Sequence, residues 1–189
     1  VDTQIIREQS FNVKNVTYNI NDLIGENLDD SFNGGDFVNI YLSPKDCHRI
    51  YTPCDMQIKQ VLYIPGKLLP VSPIVTRFVK HIFSTNERLV IHAEHNGVPF
   101  IMVLVGALNV GCMTIESTPG FKTNQKTLRL QQSIDIIHSS FKKGDHLATF
   151  NLGSTVLLFF PKNCISLISG ASPYSIHYGE TMATLKNFN

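Results

Sequence analysis

Between residues 37 and 167 the chain repeats one pattern: a short apolar or alternating run, then a breaker. The runs are 37–42, 57–64, 88–92, 100–105, 112–115, 154–160 and 163–167. Gly34-Gly35, Ser43-Pro44, Pro65-Gly66, Asn96-Gly97 and Pro119-Gly120 punctuate them. Runs this short fit strands and are too brief for helices. The pattern predicts a mainly β fold with a few short helices. Asn96-Gly97 lies between two apolar runs and reads as a hairpin turn. Gly66, following Pro65, suits a turn position that needs a positive φ.

Helix signals are sparse. Ser43-Pro44-Lys45-Asp46-Cys47-His48 reads as a short helix, with Ser43 as N-cap, Pro44 in the first turn and Asp46 near the positive end of the dipole. A second short helix is expected over 22–28. The stretch 119–139 is polar and poorly periodic, and reads as a long loop or hairpin excursion.

Composition narrows the classes. The 189 residues are 43% hydrophobic and 16% charged, as in a folded domain. One domain spanning 1–189 is expected. A formal net charge of +1, with no block of like charges, gives no footprint for nucleic acid. No apolar run approaches the roughly 20 residues that span a bilayer. Cys47, Cys54, Cys112 and Cys164 show no metal spacing, and are expected to be free, buried thiols rather than disulfides or metal ligands. The chain opens at Val1 without a methionine, which suggests an excised domain or processed fragment.

The segment that carries chemistry is Leu152-Gly153-Ser154-Thr155, just before the apolar run 156–160. By itself a Gly-Ser pair is an ordinary turn. It does not stand alone. Leu152-Gly153-Ser154-Thr155 resembles the LGST self-cleavage motif of phosphatidylserine decarboxylases. Tyr41-Leu42-Ser43-Pro44-Lys45-Asp46-Cys47-His48-Arg49 resembles the family's YLSPxDYHR segment, and Tyr63-Ile64-Pro65-Gly66-Lys67-Leu68-Leu69-Pro70-Val71 its YxPGxLxxV stretch. Asn86-Glu87-Arg88 is similar to its NER, and Val105-Gly106-Ala107-Leu108-Asn109-Val110-Gly111 to its VGAxxVG. These blocks stand in family order across most of residues 37–160.

The resemblance implies a two-sheet or barrel-like β domain. It implies attack of the Ser154 hydroxyl on the Gly153 carbonyl, then chain scission into a large subunit, 1–153, and a small one, 154–189. Ser154 would become a pyruvoyl group, the ketone that takes up electrons as the substrate amine loses CO2. The product would be phosphatidylethanolamine. The base for self-cleavage would be a histidine oriented by an aspartate; Asp2 matches that aspartate by position, with Asp55 a rival. His48 would serve decarboxylation, and Gly106, Ala107, Val110 and Gly111 would bind substrate. A homodimer, attached peripherally to the cytoplasmic face of a membrane, is also implied.

Two positions depart from the family. His48-Arg49-Ile50-Tyr51 stands where HRxH is usual, so Tyr51 replaces the base histidine. A tyrosine with a pKa of about 10 is a poor base at neutral pH. Thr3 replaces a glycine, and a β-branched residue resists glycine-only conformations. Three readings follow: another histidine (His48, His92, His95 or His146) compensates; Tyr51 acts as a slow polariser; or the domain never cleaves and binds lipid or a partner. A pyruvoyl decarboxylase of a soluble amino acid is a further alternative. Bland readings also apply. His92 and His95 fall on opposite strand faces and suit a surface; Asp145-His146 suits a solvated turn; Phe150, Phe159 and Phe160 suit a core.

Overall fold

The structure, a computed structural model, describes residues 1–13, 16–72, 74–108, 112–125, 129–150, 154–168 and 173–186. Its elements are, in order, β1 (Asp2–Ile5), β2 (Ser10–Val13), β3 (Val16–Asn19), α1 (Ile20–Ile24), a 3-10 turn (Asp30–Phe32), β4 (Asp36–Leu42), β5 (Arg49–Tyr51) and β6 (Met56–Ile64). Then come α2 (Val75–Phe78), α3 (Ile82–Thr85), β7 (Arg88–His95), β8 (Val98–Val105), β9 (Met113–Ile115), β10 (Gln132–Ser133) and β11 (Ser140–Phe141). The last are β12 (His146–Phe150), β13 (Ser154–Phe160), β14 (Ile165–Leu167) and β15 (Ala183–Leu185). The fold is mainly β, as the alternation predicts.

The principal sheet runs in the order β1-β4-β13-β8-β7-β6-β10, with β11 also pairing β6. Its strand pairings among the described residues are antiparallel. An interior strand, β13, flanked by β4 and β8, is buried at every position. That is why Ser154-Thr155-Val156-Leu157-Leu158-Phe159-Phe160 is an apolar run rather than an alternation: both faces are covered. The β7–β8 hairpin turns on Asn96 and Gly97, both at positive φ (49° and 80°), the geometry of a two-residue type I′ turn.

Register divides the side chains into two faces. Arg88, Val105, Thr155 and Tyr41 stand abreast, as do Phe37, Phe159 and Ile101. On this face Phe11 of β2 packs against Phe37 (centroids 4.3 Å apart) and Phe159 (5.3 Å). Helix α1 lies here too, since Arg88 reaches the carbonyls of Asp22 and Leu23. The opposite face carries Leu42, Ser154, Leu89 and Tyr63. There Tyr63 meets Phe121 (5.9 Å), and Glu87 accepts from the Asn124 N–H. That segment is tied to β9 through Thr123 N–H to Met113 carbonyl (3.1 Å), so the smaller sheet β5-β12-β9 covers this face.

Several expectations are corrected. Residues 43–48 form a turn and not a helix: Asp46 N–H bonds the Ser43 carbonyl, and the Asp46 carboxylate turns back to accept from Ser43 N–H (2.8 Å) and Oγ (2.7 Å). The expected helix at 22–28 sits earlier, as α1. Asn19 caps its start by accepting from Asn21 N–H, and Gly25 at φ 76° ends it. Gly66 has no positive φ. It is needed because a Cβ there would lie 2.5 Å from the backbone of Asn86 and Glu87. The four cysteines are unpaired, yet Cys47 is exposed; Cys54 and Cys164 are buried.

Candidate active site

Ser154 opens β13, and the sheet encloses it. Leu42 of β4 is its partner on one side. On the other, Thr155 pairs with Val105 of β8, and one further step in that register sets Gly106 opposite Ser154. The residue is 0% exposed, and its Oγ finds no hydrogen-bond partner among the described residues. An unpaired buried hydroxyl costs on the order of 1–3 kcal/mol. Thr155 Oγ1 and Ser117 Oγ share this state among the described residues; what is particular to Ser154 is its place in the Leu152-Gly153-Ser154-Thr155 motif, where a nucleophile must keep its oxygen available.

The segment carrying His48 is pinned beside this serine at both ends. Leu42, just before it, pairs with Ser154. His48, at its end, accepts the Phe150 N–H on its carbonyl (3.0 Å). Phe150 and Ser154 are the described residues on either side of 151–153. Thus the flanks of the His48 loop are held against the flanks of segment 151–153, with the Ser43–Asp46 brace setting the loop's shape. The His48 ring has one buried, unpartnered nitrogen, Nδ1, while Nε2 lies 3.4 Å from the Pro44 carbonyl. Asp46 holds its charge readily: hydrogen bonds from Ser43 keep its pKa below the usual carboxylate value.

The other sequence-derived residues disperse. Asp2 pairs with Asn39, three positions from Leu42, so it projects from the face opposite Ser154. Asp55 stands at the remote end of β6, bound to Lys142 Nζ (2.8 Å) and Lys143 N–H (2.8 Å). Tyr51 points away from Ile50, which is buried; its ring packs on His146 (5.7 Å) and Tyr178 (4.9 Å). His146 is not in a solvated turn. It pairs with Tyr51, and its Nδ1 lies 3.3 Å from Glu116 while Nε2 reaches Thr149 Oγ1 (2.9 Å). His92 shares the face of Arg88, opposite Ser154, near Glu26 (2.9 Å). His95 ends β7 beside Asp55, ~25 Å along the strand from the Glu87 end. Thr3 lies in ordinary extended strand opposite Val38. Gly106 and Ala107 are buried beside the site; Gly153, Val110 and Gly111 lie outside the described residues. Phe150, Phe159 and Phe160 are core.

The sequence marks Asn86-Glu87-Arg88 as a block but not its role, which is a buried polar bolt beneath the site. Asn86 and Glu87 lead from α3 into β7, which Arg88 opens, and all three are buried. Asn86 donates to the carbonyls of Leu69 and Gly106 (both 2.8 Å) and accepts from Leu69 N–H (3.0 Å). Gly106 N–H in turn bonds the Glu87 carbonyl (2.9 Å), and a Cβ at Gly106 would press on that same oxygen at 3.2 Å. Arg88 spends its guanidinium on four carbonyls: Leu23, Ser84, Asn86 and Asp22. Burial pulls its pKa down to about 10, against the pull of Asp22. The signal was available: three polar residues at the head of an apolar strand require buried partners.

Known proteins resemble this chain over most of its length. Residues 2–184 match the family described as phosphatidylserine decarboxylase. A phosphatidylserine decarboxylase proenzyme of Herminiimonas arsenicoxydans is 35% identical over 182 residues, covering 95% of this chain and 62% of that protein. One from Dechloromonas aromatica is 35% identical over 186 residues, covering 97% and 66%. One from Idiomarina loihiensis is 38% identical over 186 residues, covering 93% and 62%. The chain therefore spans somewhat under two thirds of the length of these relatives. The matched region takes in the buried serine, the His48 loop and the polar bolt, and the chain belongs to the phosphatidylserine decarboxylase family.

Proposed function

We propose that this chain cuts itself at Gly153-Ser154 and then decarboxylates phosphatidylserine to phosphatidylethanolamine. The observation that carries the reading is the buried, unpartnered Ser154 hydroxyl, clamped beside the His48 loop. Ser154 Oγ bonds to the Gly153 carbonyl carbon as the peptide C–N bond breaks, giving an ester and a free amine on residue 154. Loss of the Cα proton then expels the Gly153 carboxylate from Cβ. The resulting enamine takes up water and releases ammonia, leaving a ketone at the head of 154–189. The pieces are 1–153 and 154–189.

Residues present fit such a group. It would sit at the start of β13 between β4 and β8, with Gly106 and Ala107 beside it and the small sheet above. When formed, it supplies an electron sink for loss of a carboxylate from an amine-bearing substrate. His48 supplies the imidazole at this position, and a ring with one donor and one acceptor nitrogen suits it to move a proton here. The packed β13 and small sheet exclude water from the serine oxygen. Tyr51 is turned to the outer side of β5, so the reading gives it no role as base, and none to Asp2 as partner of His48. The relatives are phosphatidylserine decarboxylase proenzymes, which supports self-processing over a non-cleaving module or a decarboxylase of free amino acids. A homodimer on the cytoplasmic face of a membrane completes the reading and rests on family membership.

Intact mass spectrometry on fresh and incubated protein tests it. Expected are two species that divide at Gly153/Ser154, the smaller bearing a pyruvoyl mass, and one uncut species for Ser154→Ala. A wild-type chain that persists uncut at 21.2 kDa overturns the reading.

A further inference from the structure

Apolar side chains on this molecule are mostly inside, but one turn is built the other way round. Helix α2 presents Ile74, in the position just before it, and Phe78, its last residue, at 70% and 82% exposure; Val79 follows, also exposed. Residues 74 and 78 are four apart and fall on one side of the turn. Thr76, between them, is 3% exposed; its hydroxyl is folded inward onto the Ser72 carbonyl (3.2 Å). A turn resting against water would bury its apolar residues and expose the threonine. This one holds its hydroxyl in and its hydrocarbon out.

The stretch of sequence that carries it has charge of one sign. From Lys67 to Asn86 the sequence contains Lys67, Arg77 and Lys80 and no aspartate or glutamate, in a chain whose net charge is only +1. Lys67 and Lys80 are exposed. Apolar side chains rimmed by cations are what an anionic bilayer surface accepts: hydrocarbon enters the acyl boundary and the ammonium groups stay at the headgroups. The segment is also fixed to the site. Asn86 holds Leu69, at the base of the segment, and Gly106, beside Ser154, through one side-chain amide.

We propose that Ile74, Phe78 and Val79, with Lys67 and Lys80, form the face by which this chain docks on an anionic lipid bilayer, and that Asn86 ties this face to the substrate end of the site. The inference deepens the lipid-decarboxylase reading and rests on it for its purpose, but docking is measured without catalysis.

The chain has no tryptophan, so Phe78→Trp creates a single fluorescent reporter. It is made in the full chain carrying Ser154→Ala, which keeps self-cleavage and turnover out of the measurement. Ile137, 76% exposed on the 119–139 excursion, gives the control Ile137→Trp. Vesicles of phosphatidylserine with phosphatidylcholine should shift the Phe78→Trp emission to the blue and allow quenching by lipids brominated on the acyl chains, with Ile137→Trp unaffected. Phe78→Ser should weaken vesicle binding about ten-fold or more, and Lys67→Gln or Lys80→Gln about five-fold each, with the melting temperature of each variant close to wild type. No emission change at Phe78→Trp on vesicles, an equal change at Ile137→Trp, or a concentration-dependent shift without lipid, which marks self-association, each overturns the proposal. Decarboxylation of detergent-dispersed phosphatidylserine by the Ser154-bearing chain reports the enzymatic reading separately: activity there with no vesicle binding sinks the docking face alone.

Discussion

The hydroxyl of Ser154 and the Nδ1 of His48 are both buried and find no partner among the described residues, and hydrogen bonds nearby fix the loop that carries His48. Asp46 is the clearest case. Its carboxylate closes the turn through Ser43, and that turn carries His48 to the strand beside Phe150. Asp46→Ala removes the acceptor of two hydrogen bonds and lets residues 43–47 open. Self-cleavage, followed as uncut chain against time, should slow about ten-fold, a cost of about 1.4 kcal/mol in the barrier. The melting temperature should move by no more than about 3 °C, because the residue is exposed. Asp46→Asn, which retains an acceptor oxygen, should recover much of the rate; a rate equal to wild type in Asp46→Ala would remove the loop from the argument. Tyr51 is argued the other way. With its ring between His146 and Tyr178 on the outer side of β5, Tyr51→Phe should leave the cleavage rate within about two-fold of wild type, since each ten-fold in rate requires a lost interaction of about 1.4 kcal/mol. A large loss of cleavage would restore Tyr51 as a participant.

Strands rather than residues decide which side chains meet. Most of the runs seen in the sequence are strands in the structure, and 154–160 coincides with β13, because alternation and burial leave a local mark. The helix expected at 43–48 failed for a local reason: Ser-Pro followed by Asp suits a helix start and a tight turn equally, and the side-chain bond from Asp46 to Ser43 chose the turn. The faces of Asp2 and Ser154 were not legible at all. They depend on which residue of β4 stands opposite each, Asn39 for Asp2 and Leu42 for Ser154, both far away in the chain, and one step of register reverses it. Two predictions belong at this scale. Gly66→Ala drives a methyl to 2.5 Å from the Asn86-Glu87 backbone and should destabilise the chain by about 1–3 kcal/mol, read by urea unfolding; an unchanged midpoint would refute the close approach. In β7, burial lowers the pKa of His92 against the opposing pull of Glu26. A histidine held neutral in the fold takes its proton mainly when the chain unfolds. Stability should therefore be full above the ordinary value of about 6.5 and decline as the pH falls below it. His92→Gln lacks that titration, so its melting temperature should fall less than wild type between pH 7.5 and 5.5; parallel falls would remove His92 from the acid sensitivity.

For the molecule as a whole, the proposed cut falls at the edge of its most buried strand. β13 pairs with β4 along seven residues and with β8 along five, and Val156, Leu157, Leu158, Phe159 and Phe160 are all buried. At about 1.5–3 kcal/mol for each such side chain, the gross apolar burial is on the order of 10 kcal/mol, before the ladder hydrogen bonds are counted. Breaking one peptide bond leaves all of this in place. It frees only the ends, and it frees them at the spot where a substrate must reach the new ketone. The pieces should therefore behave as one molecule until the sheet itself unfolds. Size-exclusion chromatography of fully cut protein in native buffer should give the elution volume of uncut Ser154→Ala, with both pieces in the peak, and dodecyl sulfate should separate them. Urea should release the small piece only within the transition that also melts the sheet. A small piece lost in native buffer would mean that continuity of the chain, and not the packing of β13, holds the site together.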